Sequence, residues 1–233
     1  MGVVTTMGRH VADEPRPGAT GPVAGRLPET EDDEVGVSLD CPPGWIDLAV
    51  PDGEDPDAWA LAQTRSMAPS DAPVERIEAA AASLADAVRL AMDAGPLTFL
   101  ALAFQPDPLE PVLALWDVDL VPFEDGEALT LDDVEAILGS EGVTVGEAER
   151  DRRDLPSGPG LRLRRMREDQ PTGEPDGGIR VTEGVTYVVP PPGLGGYAML
   201  SGRWTAVVLG DELAARVDEL AVRLSIIGSG NDG

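Results

Sequence analysis

Residues 97–121, LTFLALAFQPDPLEPVLALWDVDLV, decide the fold of this chain. They contain two apolar runs, 97–104 and 112–121, separated by the segment QPDPLEP, whose three prolines disfavour both helix and central strand. Each run is far shorter than the roughly 20 residues that a membrane-spanning helix requires. We therefore predict two neighbouring central strands of one sheet.

The second run also predicts how its side chains divide between the two faces of the sheet. Side chains alternate along a strand, so Trp116 and Val118 share one face while Asp117 and Asp119 lie on the other. We expect Trp116 to be buried and the two aspartates to mark the more polar face.

Helical signals precede this strand pair. Asp55 followed by Pro56 predicts an N-cap and first turn of a helix that extends to residue 67. Within residues 72–94, apolar side chains recur at spacings of three and four, which predicts an amphipathic helix with Asp71 as its N-cap.

Further elements follow the strand pair. Residues 130–133 form a capping box with Asp133 in the usual place of Glu, which opens a short helix ending at Gly139. Asp211 is a candidate cap for a closing helix. Strands are predicted at 37–40 and 45–50 around a turn, and at 143–147, 160–167, 179–189 and 197–209.

Strands that cluster along the chain favour a mainly antiparallel sheet flanked by helices on its faces, an α+β fold. Residues 1–36 are rich in Gly, Pro and acid and show no periodicity, so we predict a disordered N-terminal arm. We predict that residues 37–228 form a single α/β domain and that 229–233 form a flexible tail.

The composition excludes several functions. The formal net charge of −26 argues against nucleic acid or an anionic membrane as a partner, and favours a basic protein partner. The chain has no lysine, one histidine (His10) and one cysteine (Cys41), so the usual acid–base and nucleophilic groups are scarce. We expect no catalytic residues, no cofactor and no bound metal.

The same counts bear on the compartment. A lone cysteine forms no internal disulfide, and residues 1–29 lack the apolar core of a secretory signal. We expect a cytoplasmic protein without membrane insertion. The skew toward Ala, Gly, Pro, Arg and Asp suggests a bacterium with a GC-rich genome, such as an actinobacterium.

One basic island stands out at residues 150–167, where seven arginines face only two aspartates. Arginine forks bind carboxylates and phosphates bidentately, so the strand is a candidate ligand site. Pairing with the protein's own acidic groups is the alternative. The candidate binding residues are Arg162, Arg164, Arg165 and Arg167.

A carboxylate group near the end of the second apolar run is a candidate for hard cations or for hydrolase chemistry. Its spacing matches no EF-hand loop, and aspartates two apart on a strand commonly mark its solvent face. The group comprises Asp117, Asp119, Glu124, Asp125 and Glu127. The glycines at 193–196 precede a strand rather than a helix and lack a following Lys, which indicates a hairpin turn rather than a phosphate loop.

Tryptophan is frequent in the hot spots of protein interfaces. Four tryptophans in an aromatic-poor chain are commonly core residues, yet we expect Trp45 or Trp204 to be partly exposed and able to anchor a partner.

Five segments together resemble a known family. They are CPPGWIDLAVP at 41–51, TLDDVEAILG at 130–139, DLPSGPGLRLRRMR at 154–167, TYVVPPPGLGGYAMLSGRWTA at 186–206 and DELAARVDELAVRLSI at 211–226. The pattern, over residues 37–227, resembles the PsbP-like α/β/α sandwich of uncharacterised actinobacterial proteins related to LpqN-type lipoproteins. Because members of that fold mostly bind partner proteins, the resemblance implies partner binding. No apolar segment precedes Cys41, so the lipoprotein anchor is not expected.

The sequence therefore predicts a non-enzymatic domain that binds another protein and whose acidic surface engages that partner. Two alternatives stay open: an immunity or chaperone-like factor linked to secretion, and a metal- or carboxylate-dependent hydrolase.

Overall fold

The computed structural model describes residues 22–26, 35–95, 97–122, 130–140, 144–169, 180–190 and 196–228. The helices are α1 (Pro56–Met67), α2 (Val74–Asp93), α3 (Leu131–Ser140) and α4 (Gly210–Arg223), the last preceded by a 3-10 turn at Val207–Leu209. The strands are β1 (Pro22–Arg26), β2 (Val35–Asp40), β3 (Trp45–Asp47), β4 (Thr98–Phe104), β5 (Ala114–Pro122), β6 (Thr144–Leu155), β7 (Gly158–Asp169), β8 (Arg180–Val189), β9 (Gly196–Trp204) and β10 (Leu224–Gly228).

A seven-stranded sheet in the order β3-β4-β5-β9-β8-β7-β6 forms the centre of the molecule, and every neighbouring pair is antiparallel. The two apolar runs predicted as neighbours are β4 and β5, paired from Thr98 opposite Asp119 to Phe104 opposite Ala114. The prediction of an α+β fold with a mainly antiparallel sheet and helices on its faces is confirmed.

Helix α4 covers one face of the sheet, because its apolar stripe of Leu213, Val217 and Leu220 packs into one cluster with Trp116. The approach is close at Gly202 of β9, where an added Cβ would lie 2.3 Å from Cγ2 of Val217. Glycine at position 202 is therefore required for α4 to lie this close to the strand.

Two separate helical units cover the opposite face. Helices α1 and α2 pack over β3 and β4 with Trp59, Leu84 and Val88 in a second apolar cluster. Helix α3 packs over the other end of the sheet, where Val134 contacts a cluster with Leu163. The strands between these two units present polar side chains, and this uncovered strip positions the site described below.

A second, three-stranded sheet has the order β1-β2-β10 and packs Val37 and Leu39 into the α4-side core. The sequence suggested that the strands beginning at Val37 and Trp45 face each other across a turn. Instead β2 pairs with β1 and β10, while β3 pairs with β4. Strand β10 continues directly from α4 and had no separate sequence signal, because Leu224 also fits the helical stripe.

The edge strand β6 is longer than its predicted five residues and contains three of the seven arginines of the basic island, the other four lying in β7. Charged side chains alternate with few apolar ones, so this strand lacks the pattern of a half-buried strand. Its ladder with β7 shifts register between Val145 and Glu149, and Gly146 has a positive φ of 80°. A charged and bulged edge is a common protection against unwanted strand pairing.

Strand β1 and the start of β2 lie within the segment predicted as a disordered arm, and pair from Pro22 opposite Asp40 to Arg26 opposite Gly36. The rest of that arm, the predicted tail at 229–233 and residues 170–179 lie outside the described residues.

The predicted helix caps fall into two groups. Asp55 accepts a hydrogen bond from the backbone N–H of Ala58, and Thr130 and Asp133 make the reciprocal bonds of a capping box. Asp71 and Asp211 are not caps: α2 begins after Pro73, and Asp211 lies within the first turn of α4. No helix in the described parts of the chain has the length and apolarity needed to cross a bilayer.

Candidate functional site

A cleft of about 390 Å³ opens between α2 and the edge of the polar strip on the sheet. Its size lies within the range of 300–1,000 Å³ that is typical of small-ligand pockets. One wall comes from α2 and the start of β5, and the other from the end of β9 and the start of β8. The two walls differ in chemistry.

The first wall is mainly apolar. Ser83, Ala87 and Leu90 recur at helical spacing along α2, and Val112 and Leu115 continue the surface at β5. Leu90 is 54% exposed although it is a large apolar side chain. The wall therefore offers apolar area that the protein itself leaves uncovered.

The second wall is polar and basic. Arg203 and Thr205 lie at the end of β9, and Arg180 and Thr182 at the start of β8. These ends meet because the two strands are antiparallel, with Gly184 opposite Arg203. Residues 180, 182 and 184 share a face, so the register aims Arg180 and Thr182 to the same side of the sheet as Arg203.

Arg203 also holds the most perturbed carboxylate near the cleft. Its guanidinium lies 3.2 Å from Asp117, which is buried on β5. The pKa of Asp117 is raised to about 6, mainly by burial; Arg203 lowers it and the charge of Asp119 adds a smaller rise. The expectation that both aspartates mark a polar face is correct in orientation, but Asp117 is not solvent-exposed.

The first pair of predicted binding arginines lies on the α4 side of β7. Arg162 Nε donates a 2.8 Å hydrogen bond to Asp218 of α4, and Tyr187 donates its hydroxyl to the same carboxylate at 2.7 Å. Burial and this neighbouring carboxylate raise the pKa of Tyr187 above its usual value. Arg162 is thus part of the packing between sheet and helix.

Arg164 is engaged in the same way nearer the start of α4. It binds the buried carboxylate of Glu183 through two nitrogens at 2.7 and 2.6 Å and also pairs with Asp211 at 2.8 Å. Trp204 Nε1 donates to the other oxygen of Glu183 at 3.0 Å. Arg162 and Arg164 therefore pair with the protein's own acidic groups, which was the alternative to a ligand site.

The second pair, Arg165 and Arg167, lies on the opposite side of β7. Arg165 stands opposite Gly184 and Arg167 opposite Thr182, so both point to the face that carries Arg203. Each has interaction partners of its own. Strand β7 therefore divides the predicted arginine set into a structural half and a half on the polar strip.

The expectation that Trp45 or Trp204 is partly exposed is wrong. Trp45 is 8% and Trp204 is 3% exposed, and Trp116 is fully buried as expected. Trp45 packs against Phe104 with ring centroids 5.0 Å apart, and Trp204 is held by Glu183. In an aromatic-poor chain these rings fill the core rather than the surface.

Other candidate groups are incomplete in the described structure. Glu124, Asp125 and Glu127 lie outside the described residues, as do residues 191–195 and His10. Within the described ranges, no three His, Cys, Asp or Glu side chains converge on a common point suited to a metal ion. Asp119 accepts a 2.7 Å hydrogen bond from Thr98. Burial raises the pKa of Cys41 to about 11, which keeps it a thiol at neutral pH.

The sequence missed Leu90, Arg180 and Arg203 as site residues. Arg203 lies in a strand that was predicted, but only the register shows that it stands between Leu115 and Gly184. Leu90 is a large apolar residue outside the buried stripe of α2, and this position was the one signal available in the sequence. The structure shows that its side chain is exposed.

Comparisons with known proteins give only distant structural likenesses. No protein-family model matches the chain, and no curated protein matches its sequence. Among solved structures, LpqN of Mycobacterium tuberculosis, described as involved in cell envelope biogenesis, has a TM-score of 0.46 at 12% sequence identity, over 88% of this chain and 91% of that one. This is a distant likeness of fold, and the assignment to the PsbP-like, LpqN-type group stays a prediction.

Proposed function

We propose that the protein is a non-enzymatic cytoplasmic binding module that holds a segment of a partner protein in the cleft between α2 and strands β5, β9 and β8. The observation that carries this proposal is the uncovered apolar wall at Leu90 facing a basic wall with Arg180 and Arg203. Apolar area rimmed by a few polar groups is typical of sites that bind a ligand or a partner.

The chemistry of the cleft supports binding over catalysis. Ser83, the hydroxyl on the apolar wall, accepts a 3.1 Å hydrogen bond from the backbone N–H of Val112. The described residues that line the cleft include no His or Cys to serve as base or nucleophile. Binding through shape, apolar contact and charge needs neither.

The charge of the whole chain favours a partner of opposite sign. A net charge of −26 attracts a basic protein over distances beyond contact and speeds association at low ionic strength. The single cysteine, which is buried, is compatible with a reducing compartment. In this proposal, the surface charge accelerates association with the partner, and the cleft then binds the partner's segment.

Two matched variants test the cleft as the docking site. Leu90 on α2 is 54% exposed and Val222 on α4 is 53% exposed, and the two helices cover opposite faces of the sheet. Leu90→Glu and Val222→Glu therefore introduce the same charge at equally exposed positions. We expect stoichiometric capture of one partner from native lysate by the wild type and by Val222→Glu, and its loss with Leu90→Glu.

A photo-crosslinking residue at position 90 should label that same partner, and one at position 222 should not. Equal capture by both variants, or capture of no defined partner, would contradict the proposal.

A carboxylate-dependent hydrolase is the second candidate, favoured by Asp117 alone. Its pKa of about 6 suits a general acid or base near neutral pH, and it lies behind a cleft residue. Turnover of ester, phosphoester or glycoside substrates should then follow an apparent pKa near 6 and disappear in a folded Asp117→Asn variant. Absence of turnover across that panel would remove this candidate.

A further inference from the structure

The chemistry of the bound segment follows from the two walls of the cleft, on the premise of the proposed function. We propose that the cleft recognises a carboxylate adjacent to an apolar side chain on a partner polypeptide. The carboxylate binds Arg180 and Arg203, and the apolar side chain packs against Leu90, Val112 and Leu115.

The first step of the argument is the scarcity of available positive charge. The chain has 43 acidic residues and 17 arginines, and most of the described arginines pair with its own carboxylates. No ion pair joins Arg180 to another residue in the described part of the chain, although it lines the cleft. Among the described residues, Arg180 is therefore an exposed basic side chain that an external anion can reach.

Arg203 provides the second cation. It contacts Asp117 through one terminal nitrogen, and its side chain is still 43% exposed. A guanidinium has five N–H donors, so donors remain for a second carboxylate. The hydroxyl of Thr205, which follows on the same wall, adds a further donor.

The space between the arginines is open at the sheet surface. Gly184 stands opposite both Arg165 and Arg203 and carries no side chain. An added Cβ there would lie 2.6 Å from the carbonyl oxygen of Gly202, so the strand accepts only glycine. At Gly184 the floor of the polar strip is therefore backbone, flanked by Arg165 of β7 and Arg203 of β9.

The apolar wall determines which side chain of the ligand can lie next to the carboxylate. Leu90, Val112 and Leu115 present apolar surface, and Asp86 lies one helical turn before Leu90 on the same wall. Asp86 is already paired with Arg89 at 2.8 Å. A ligand group facing this wall gains from being uncharged and apolar, which separates this site from a simple phosphate site.

A minimal probe carries both features. N-acetylleucine has a carboxylate and one apolar side chain, and N-acetylleucinamide has the same side chain without the charge. Titrated into the isotope-labelled full-length protein, the acid should produce saturable NMR shifts at Leu90, Leu115, Arg180 and Arg203. The acid should bind about ten-fold more tightly than the amide, as expected for charge-assisted hydrogen bonds of about 1.5 kcal/mol.

The matched variants are Arg180→Gln and Arg65→Gln. Arg65 is exposed on α1 and does not line the cleft, and its substitution removes the same charge. Arg180→Gln should weaken the acid at least about five-fold and leave the amide unchanged, while Arg65→Gln should change neither.

Equal binding of acid and amide, no saturable shifts with either, or unchanged binding by Arg180→Gln would overturn the inference. The two proposals fail separately. If partner capture is lost with Leu90→Glu but persists with Arg180→Gln, the docking function stands and carboxylate recognition is rejected. Acid binding without any captured partner keeps the site and removes the protein-docking function.

Discussion

At the scale of single residues, Asp117 and Asp119 show how position decides the chemistry of one residue type. Both lie on the same face of β5, two residues apart. Asp119 accepts a hydrogen bond from Thr98, whereas Asp117 is buried beside Arg203 and its pKa is raised to about 6. Asp117 is therefore a carboxyl that takes up its proton near pH 6 in the folded protein.

We predict a pH-dependent gain in stability on Asp117→Asn. The folded pKa of about 6 lies above the unfolded value of about 3.9, so the folded state binds the extra proton and loses stability as pH rises from about 4 to 6. The loss is at most about 3 kcal/mol. The variant should match the wild type near pH 4 and exceed it at pH 7 in urea unfolding.

A lost contact and a control variant bear on the interpretation of this stability difference. The variant also loses the contact with Arg203, which is partly exposed and is worth less than about 1 kcal/mol. Asp71→Asn, an exposed turn residue, serves as the control and should leave the pH profile unchanged. A variant profile parallel to the wild type would show that Asp117 titrates in its ordinary range.

At the scale of elements, α4 is attached to the sheet by arginine–carboxylate pairs as well as by its apolar stripe. Arg162 reaches Asp218 and Arg164 reaches Asp211, two turns apart on the helix. Glu183 lies at the start of α4, where a Cβ on Gly210 would be 2.2 Å from its Oε2. Removal of the buried carboxylate of Glu183 therefore costs Arg164 its buried partner and Trp204 Nε1 its acceptor.

We predict that Glu183→Ala lowers the free energy of unfolding by about 3 kcal/mol. It leaves Trp204 Nε1 without an acceptor and removes the buried partner of Arg164, which keeps only its exposed partner Asp211 and the more distant Glu149. Glu147→Ala, on the exposed part of the edge strand, should change stability by less than about 0.5 kcal/mol. Chemical denaturation monitored by tryptophan fluorescence measures both.

A double-mutant cycle with Arg164→Met completes this test. Because the second substitution removes the stranded cation, the double variant should lose less stability than the sum of the two single variants. Strict additivity would show that the pair at β7 and β8 contributes no coupling.

At the scale of the whole molecule, the excess of negative charge opposes the compact state. Forty-three acidic residues stand against 17 arginines, and the ion pairs neutralise only part of that excess. Self-repulsion between exposed charges acts over a Debye length and is screened by salt.

We therefore predict that the melting temperature rises as NaCl increases from about 0.01 M to 0.15 M, over which the Debye length falls from about 30 to 8 Å. A gain of about 1 kcal/mol corresponds to roughly 2–4 °C in a domain of this size. KCl should act equally, because the effect is screening rather than ion binding. A fall in melting temperature would mean that the attractive pairs dominate.

Much of the fold could be predicted because local patterns agree with it. Strand β5 alternates buried and polar residues, and α1 begins with the Asp55–Pro56 signal. The start of β10 was not predicted, because Leu224 fits the helical spacing of the apolar stripe of α4 although it is the first residue of β10. Strand β6 escaped full prediction because an edge strand need not alternate.

The candidate site could be predicted only in part. The sequence singled out Arg165, Arg167 and Asp117, which do lie on the polar strip, together with Arg162 and Arg164, which do not. It missed Arg180, Arg203 and Leu90, because their meeting depends on strand order and register between segments far apart in the chain.

The amino-acid sequence by itself determined the α+β class, the main helices, the central strand pair and the acidic, lysine-free surface. These depend on periodicity, turn chemistry and charge, which are local or additive properties. The tertiary structure alone decided which arginines are held by α4 and which face the cleft, and that Trp45 and Trp204 are core residues. Those outcomes depend on which strands become neighbours, and no local pattern specifies the partner of a strand.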